Sequence, residues 1–210
     1  MIERRRLLFA AGGAALALPG AAVGAAAAEP TVGSRAPDFT ATASDGSTVR
    51  LAALAGHPVV LEWTNDGCPF VGKWYRSGAM QALQKEAADL GVVWLSVISS
   101  APGEQGYADA ARANTLTRER GAVPAHVLLD PTGALGHLYD AETTPQIYVI
   151  DASGVLRYMG GADSIPSTRV GDIAHATPYA RLAVEAVAAG KPVPYPVTRP
   201  YGCTVKYGAA

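Results

Sequence analysis

Cysteine is almost absent from this chain: Cys68 and Cys203 are the only two in 210 residues. Two are too few for a multi-bridge disulfide framework or a four-cysteine zinc site, and they cannot form a Cys-x-x-Cys pair. Histidine is scarce as well. His57, His126, His137 and His175 stand apart, with no i, i+3 or i+4 pair among them, so no metal site is expected. The formal net charge is only −1 and no basic stripe runs along the sequence, which argues against nucleic acid as a partner. The glycine-containing loop "SSAPGEQGY" lacks phosphate-binding spacing, no internal repeat is present, and beyond residue 28 no apolar run is long enough to cross a membrane.

What is present begins with the first 28 residues. Arg4, Arg5 and Arg6 form a charged head, no charge follows from Leu7 to Ala28, and Ala26-Ala27-Ala28 offers a small-x-small cleavage site. This is the layout of an export signal, and arginines followed by two leucines resemble the twin-arginine type. The same stretch could by length serve as an uncleaved membrane anchor, but its alanines and glycines make it weakly apolar. Removal of the segment leaves about one domain's worth of chain with an acidic balance. The expected organisation is a signal over 1–28, a single domain over 29–190 and a Pro-rich tail over 191–210. The expected location is periplasmic or otherwise exported, where disulfides form, with no stable membrane span after cleavage.

Along the domain the hydrophobic period alternates between the two regular values. Phe39 to Leu51, broken by an Asp-Gly turn, reads as a hairpin. "PVVLEW" (58–63) and "VVWLSVI" (92–98) read as buried strands. Between them Val71, Trp74, Ala79, Leu83, Ala87 and Leu90 follow helical spacing, with Gly91 as the stop. A polar helix is expected near Tyr107 to Arg120, a short strand at "HVLLD", and an antiparallel hairpin over 145–160. A last helix is expected with Thr177 as N-cap, Pro178 at its first position and Gly190 past its end. The tail "KPVPYPVTRPYGCTVKYGAA" is too rich in proline for a helix and reads as an extended segment laid on the domain, anchored by Tyr195, Tyr201 and Tyr207. The order of elements, a βαβ half followed by a ββα half, implies an α/β fold with a mixed central sheet covered on both faces.

Cys68 opens the helix that follows the first buried strand. Unpaired N–H groups and the dipole at a helix start favour a thiolate, and such a position can lower a thiol pKa from ~8.5 to between roughly 3.5 and 7.5. Lys73 and Arg76 lie within two turns and are expected to add to this. The Asn65-Asp66-Gly67 approach suggests an exposed sulfur, against the plainer reading of an inert cysteine packed beneath its helix. Glu62 is a carboxylate in an apolar strand. If buried, its pKa rises and it can move a proton near neutral pH; on an edge it would simply face solvent.

Most of the chain from Val32 to Ala189 resembles the redoxin branch of the thioredoxin superfamily, the alkyl-hydroperoxide-reductase/thiol-specific-antioxidant (AhpC/TSA) group. The resemblance rests on "GSRAPDF", on "DGSTVRLAALAGHPVVLEW" and, more specifically, on "VLLDPTGALGHLYDAETTPQIYVIDASGVLRYMG". "GCPFVGKWY" and "RPYGCTVKY" are similar to a peroxiredoxin-like subgroup. The resemblance implies a thioredoxin-like fold with an N-terminal hairpin and an extended C-terminal tail. It makes Cys68 the first cysteine of the redox motif, Thr144-Pro145 the cis-proline position that pairs with an extended substrate strand, and Glu62 the buried proton-transfer acid. It also shows two departures. Val71 replaces the second cysteine, and the Pro-x-x-x-Thr-x-x-Cys peroxidase pattern is missing, since Thr64 stands four before Cys68.

The implied activity is thiol–disulfide oxidoreduction through Cys68, with a thiol or disulfide protein as partner and no bound cofactor. A thiol peroxidase acting on peroxide and a non-catalytic binding module are the alternatives. Cys203 has three readings: a resolving cysteine for Cys68, one end of a permanent bridge, or an independent thiol. Thirteen extended residues from Gly190 reach ~40 Å, enough to cross a domain face. Exported proteins rarely leave two thiols free, which favours pairing.

Overall fold

The two apolar runs form the centre of the molecule. In the computed structural model, which describes residues 29–208, strand β3 (Val59–Trp63) lies parallel to β4 (Val93–Ile98), with helices α1 (Pro69–Arg76) and α2 (Ala79–Asp89) between them in sequence. The expected export signal lies outside the described residues. Strand β5 (His126–Leu129) continues the parallel set beyond β4. On the other side of β3, β7 (Gln146–Ile150) and β8 (Leu156–Gly160) run antiparallel as the expected hairpin. The N-terminal hairpin β1 (Thr40–Ala43) and β2 (Thr48–Arg50) joins the far edge through β5. The result is one seven-stranded mixed sheet ordered β2-β1-β5-β4-β3-β7-β8, the thioredoxin-like α/β arrangement that the resemblance implied.

Because strand side chains alternate, the sheet divides the core in two. Val59, Leu61 and Trp63 pack with Leu95, Val97, Leu128 and Tyr148 on one face. Val60 packs with Trp94, Ile147 and Val149 on the other, under α1, α2 and α5 (Tyr179–Ala188), and Cys68 belongs to this second cluster. The helix α3 (Ala110–Glu119) seals the β5 end of that face through Leu116, Ala113 and Val127. The short α4 (Ala134–Leu138) lies against the first face.

Several boundaries differ from the sequence expectation. The helix expected from Val71 to Leu90 is two helices, because Gly78 takes a left-handed conformation (φ 76°) that an α-helix cannot continue through. The polar helix starts at Ala110, where the Asp109 carboxylate accepts from the Arg112 N–H as N-cap. At the start of α5 Pro178, not Thr177, is the capping residue, and the Thr177 N–H donates instead to Ser164 Oγ.

The tail is extended from Lys191 onward, as expected, but it also forms a strand that sequence pattern did not show. β9 (Cys203–Thr204) pairs antiparallel with β6 (Thr143–Thr144), in the register Thr143↔Thr204 and Thr144↔Cys203. Upstream, the Met159 N–H donates to the Pro196 carbonyl and the Thr198 N–H to the Met159 carbonyl, both at 3.1 Å. Downstream, Val205 is buried in the first core face, its N–H donates to Glu142 O at 2.9 Å, and Tyr207 stacks on His137. Glycines make room for this path. A Cβ at Gly136 would enter the Tyr207 ring, one at Gly160 would enter the Thr198 backbone, and one at Gly202 would enter the Thr144 carbonyl.

Val205→Ala removes two methyl groups from a buried site and should cost about 1.5–2.5 kcal/mol of stability, read as a lower urea midpoint at unchanged slope. A change below about 0.5 kcal/mol would mean that the tail is not docked in the folded protein.

Candidate redox site

Cys68 is held by the turn that carries the chain from β3 into α1. The Asn65 side chain accepts from the Gly67 N–H at 2.8 Å, Gln105 Nε2 donates to the Gly67 carbonyl at 2.8 Å, and the Cys68 N–H donates to the Asn65 carbonyl at 3.3 Å. Cys68 is the N-cap of α1 and Pro69 follows at the first helical position, where its missing N–H costs nothing. The sulfur is covered, contrary to the expected exposure, because β9 lies over it: Cys68 is 1% exposed, whereas Cys203 is partly exposed.

Four of the five expected site residues meet here. The Cys68 thiol donates to the Thr144 carbonyl at 3.1 Å, the Thr144-Pro145 peptide is cis, and β9 sets Cys203 directly opposite Thr144. Both cysteines are free thiols, and each acts on the ionisation of the other. Burial pushes the Cys68 thiol up. The neighbouring Cys203 thiol, then the Thr144 side chain and the N–H groups of Val71 and Cys203, favour the thiolate and pull it down. The Thr144 carbonyl favours the protonated thiol, but the donors outweigh it and the net direction is down. Cys203 moves the other way. Burial, then its hydrogen bond to Cys68 and the charge there, push it up to about 11, with Lys206 opposing. The two sulfurs therefore differ in acidity, Cys68 being the more acidic and Cys203 the less.

Lys73 does not act on this sulfur as expected. It is fully buried and paired with Asp163 at 2.8 Å, and it also donates to the Ile165 carbonyl at 3.1 Å. The Tyr201 hydroxyl donates to the same Asp163 carboxylate and lies 3.3 Å from Lys73 Nζ, and the Tyr201 ring packs edge-on against Phe70 of α1. This cluster fastens the tail two residues before Cys203. Sequence reading missed it, because Asp163 sits in a loop and its partnership with Lys73 spans 90 positions. The proline–tyrosine–glycine run before Cys203 was the available signal.

Glu62, the fifth residue, is fully buried on the Cys68 side of the sheet. Tyr75 Oη (2.8 Å), Trp94 Nε1 (2.8 Å), Ser96 Oγ (3.0 Å) and Gln84 Nε2 (3.2 Å) all donate to its carboxylate. Burial raises its pKa, and the hydrogen bonds from Trp94, Tyr75 and Ser96 oppose the rise. Among the described residues no hydrogen bond links Glu62 to either sulfur, so the structure does not place it in the thiol cluster.

The model of the AhpC/TSA family matches residues 32–159, a span that includes Glu62, Cys68, Thr144 and Pro145 and ends before the tail that carries Cys203. Two similar solved structures extend over most of the chain. An uncharacterized conserved protein from Geobacillus kaustophilus is 26% identical with a TM-score of 0.71, covering 86% of this chain and 94% of its own. A hypothetical protein from Sinorhizobium meliloti 1021 is 23% identical with a TM-score of 0.72, covering 87% and 98%. A candidate thiol:disulfide interchange protein, DsbE, from Chlorobium tepidum shares the fold over 62% of this chain and 85% of its own, at 23% identity and a TM-score of 0.50. No curated protein sequence matches the chain.

The site makes a direct statement about pH. Thiolate absorbance in the ultraviolet should show one ionisation below the ordinary cysteine value of about 8.5 and a second only toward about 11. Cys203→Ala removes the neighbouring thiol donor and should move the first inflection upward. A single step at or above about 8.5 for both sulfurs would contradict the assignment.

Proposed function

Because the chain belongs to the AhpC/TSA family, we propose that it is an exported thiol-based redox protein in which Cys68 is the nucleophile and Cys203 the resolving cysteine. One observation carries this reading: β9 sets Cys203 opposite Thr144, the residue whose carbonyl accepts from the Cys68 thiol, and Cys203 lowers the Cys68 pKa. The position vacated by the motif's second cysteine, Val71, is thereby served from the tail. Export is supported by the arginine-headed, uncharged leader over residues 1–28.

The chemistry is a two-step exchange. The Cys68 thiolate attacks one sulfur of a disulfide R–S–S–R′, forming Cys68–S–S–R and releasing R′–S⁻. Cys203 loses its proton and attacks the Cys68 sulfur, forming the Cys68–Cys203 bond and releasing R–S⁻. The substrate gains two electrons and the protein loses two. The charge shift supplies the timing. While Cys68 is a thiolate it holds the Cys203 proton in place, with a pKa of about 11. Once Cys68 is bonded to R that charge is gone, and two of the three causes that raise Cys203 lapse together. The Thr144 carbonyl accepts from the Cys68 thiol before it ionises, Pro145 follows Thr144 across the cis peptide, and Glu62 is given no proton-transfer step because four donors enclose it.

The burial of Cys68 favours a second reading, in which a small peroxide oxidises Cys68 to a sulfenic acid and Cys203 condenses with it, releasing water. Against it stands the missing proline and threonine pattern ahead of Cys68.

The test uses the reduced mature protein with an aromatic disulfide, and separately with hydrogen peroxide. Wild-type protein should release two equivalents of aryl thiol and end with both cysteines bridged. Cys203→Ser should release one and stop as a mixed disulfide on Cys68, and Cys68→Ser should react at least a hundredfold more slowly. Equal rates for Cys68→Ser and wild type would overturn the nucleophile assignment. A fast, Cys68-dependent stoichiometric burst of peroxide loss would move the substrate to the second reading.

A further inference from the structure

The strand edge beside Cys68 is already taken. A polypeptide that exchanges disulfides with a cysteine at this place needs a backbone edge to pair with, as strand addition requires. The edge next to the sulfur is Thr143–Thr144, and β9 of the same chain fills it at both residues. Cys203 thus stands where the cysteine of an incoming chain would stand.

The occupant is not a loose cover. Before Cys203, Tyr201 is locked to Asp163 and Lys73 in a cluster whose ion pair is 0% and 1% exposed. After it, Val205 is core, the Ala101 N–H donates to the Lys206 carbonyl at 2.8 Å, and Tyr207 Oη donates to the Ala141 carbonyl at 2.6 Å. At Gly202 the backbone lies so close to the Thr144 carbonyl that no Cβ fits. Lifting β9 would therefore break contacts on both sides of it, including buried ones.

The pair nonetheless has one open side. Cys203 is partly exposed and Cys68 is not. A groove of about 730 Å³ is lined by Thr143, Tyr201 and Gly202, close neighbours of Cys203 rather than Cys203 itself, with Arg199 and the Lys73-paired Asp163 on its wall, and Lys206 acts on the Cys203 thiol from its own side. That is room for a small molecule, with positive charge to favour an anionic one.

We propose that the oxidised pair is reduced by low-molecular-weight thiols rather than by protein dithiols, and that they attack Cys203. The inference rests on the Cys68–Cys203 exchange proposed above. A thiolate R–S⁻ attacks the Cys203 sulfur, the Cys68–Cys203 bond breaks, and Cys68 departs with the electron pair as the thiolate. Cys68 is the better leaving group because the donors around it stabilise its charge. A second R–S⁻ attacks the R sulfur of Cys203–S–S–R, giving R–S–S–R and the Cys203 thiolate, which takes a proton. Two thiols are oxidised and one protein disulfide is reduced. Resolution and electron entry thus share one residue, and the peptide-pairing edge takes part in neither.

The experiment starts from mature protein oxidised to the Cys68–Cys203 disulfide. Failure to form that bond would refute the underlying reading, not this inference. Reduction is timed with reduced glutathione and, separately, with a reduced Cys-x-x-Cys thioredoxin, and acid-quenched samples are mapped by mass. Glutathione should react at least tenfold faster per thiol than thioredoxin, with the glutathione adduct on Cys203. Thioredoxin as fast or faster, or an adduct predominantly on Cys68, would overturn the proposal. Gly202→Ala, which drives β9 off Thr144, should raise the thioredoxin rate at least tenfold and the glutathione rate far less. If that variant does not fold, the wild-type rate ratio and adduct site decide.

Discussion

Two residues of backbone pairing, Thr143–Thr144 against Cys203–Thr204, hold the site together. Without that ladder Cys68 would be a lone thiol at a helix start, and Cys203 would be a cysteine on an unattached tail. With it Cys203 stands opposite Thr144, the Thr144 carbonyl receives the Cys68 thiol, and two groups of the same kind are split in acidity. Fixing the second cysteine by a strand rather than by helix spacing has a physical consequence. In the proposed exchange the resolving group is intramolecular, so its attack is spared the entropy loss of bringing in a partner.

The rest of the structure can be read as support for that ladder. The buried Lys73–Asp163 pair is an expensive element, since removing two charges from water costs several kcal/mol per ion before their attraction is counted. A hydrophobic pair of similar size would serve stability as well or better. What the ion pair adds is direction: it gives the Tyr201 hydroxyl a fixed acceptor and sets the tail's register two residues from Cys203. Glu62 is a separate polar island. Enclosed by Tyr75, Gln84, Trp94 and Ser96, it ties β3 and β4 to α1 and α2, the frame from which Cys68 projects. Burial is the largest effect on its pKa and raises it, against the hydrogen bonds from Trp94, Tyr75 and Ser96.

Much of this was legible in the residues, and the limits have physical causes. β3, β4, β7 and β8 announce themselves because buried strands are continuous apolar runs and hairpins need turn residues such as Ser153-Gly154. Cys68, Glu62, Thr144 and Pro145 could be named because local spacing within the resemblance marks them. The break at Gly78 has a faint signal, the five-residue step from Trp74 to Ala79 that shifts the apolar face by about 140°, which helical spacing taken over the whole stretch passes over. The β6–β9 pairing was hidden for a different reason. A two-residue strand has no period to detect, and its partner is 59 positions away, so only the folded domain selects it. Lys73 was misread on the same ground. A lysine one turn beyond a cysteine suggests charge stabilisation until Asp163, a distant loop residue, is seen to claim it.

The account depends on Cys68 and Cys203 forming a working pair rather than a staple or two strangers. Equilibration of the mature protein in glutathione buffers of graded potential, followed by alkylation and mass mapping of both cysteines, tests this most directly. The account predicts a Cys68–Cys203 bond that titrates as one two-electron couple between roughly −120 and −270 mV, the span of thiol–disulfide oxidoreductases. A bond still intact below about −300 mV, or two thiols that never bridge, would contradict it.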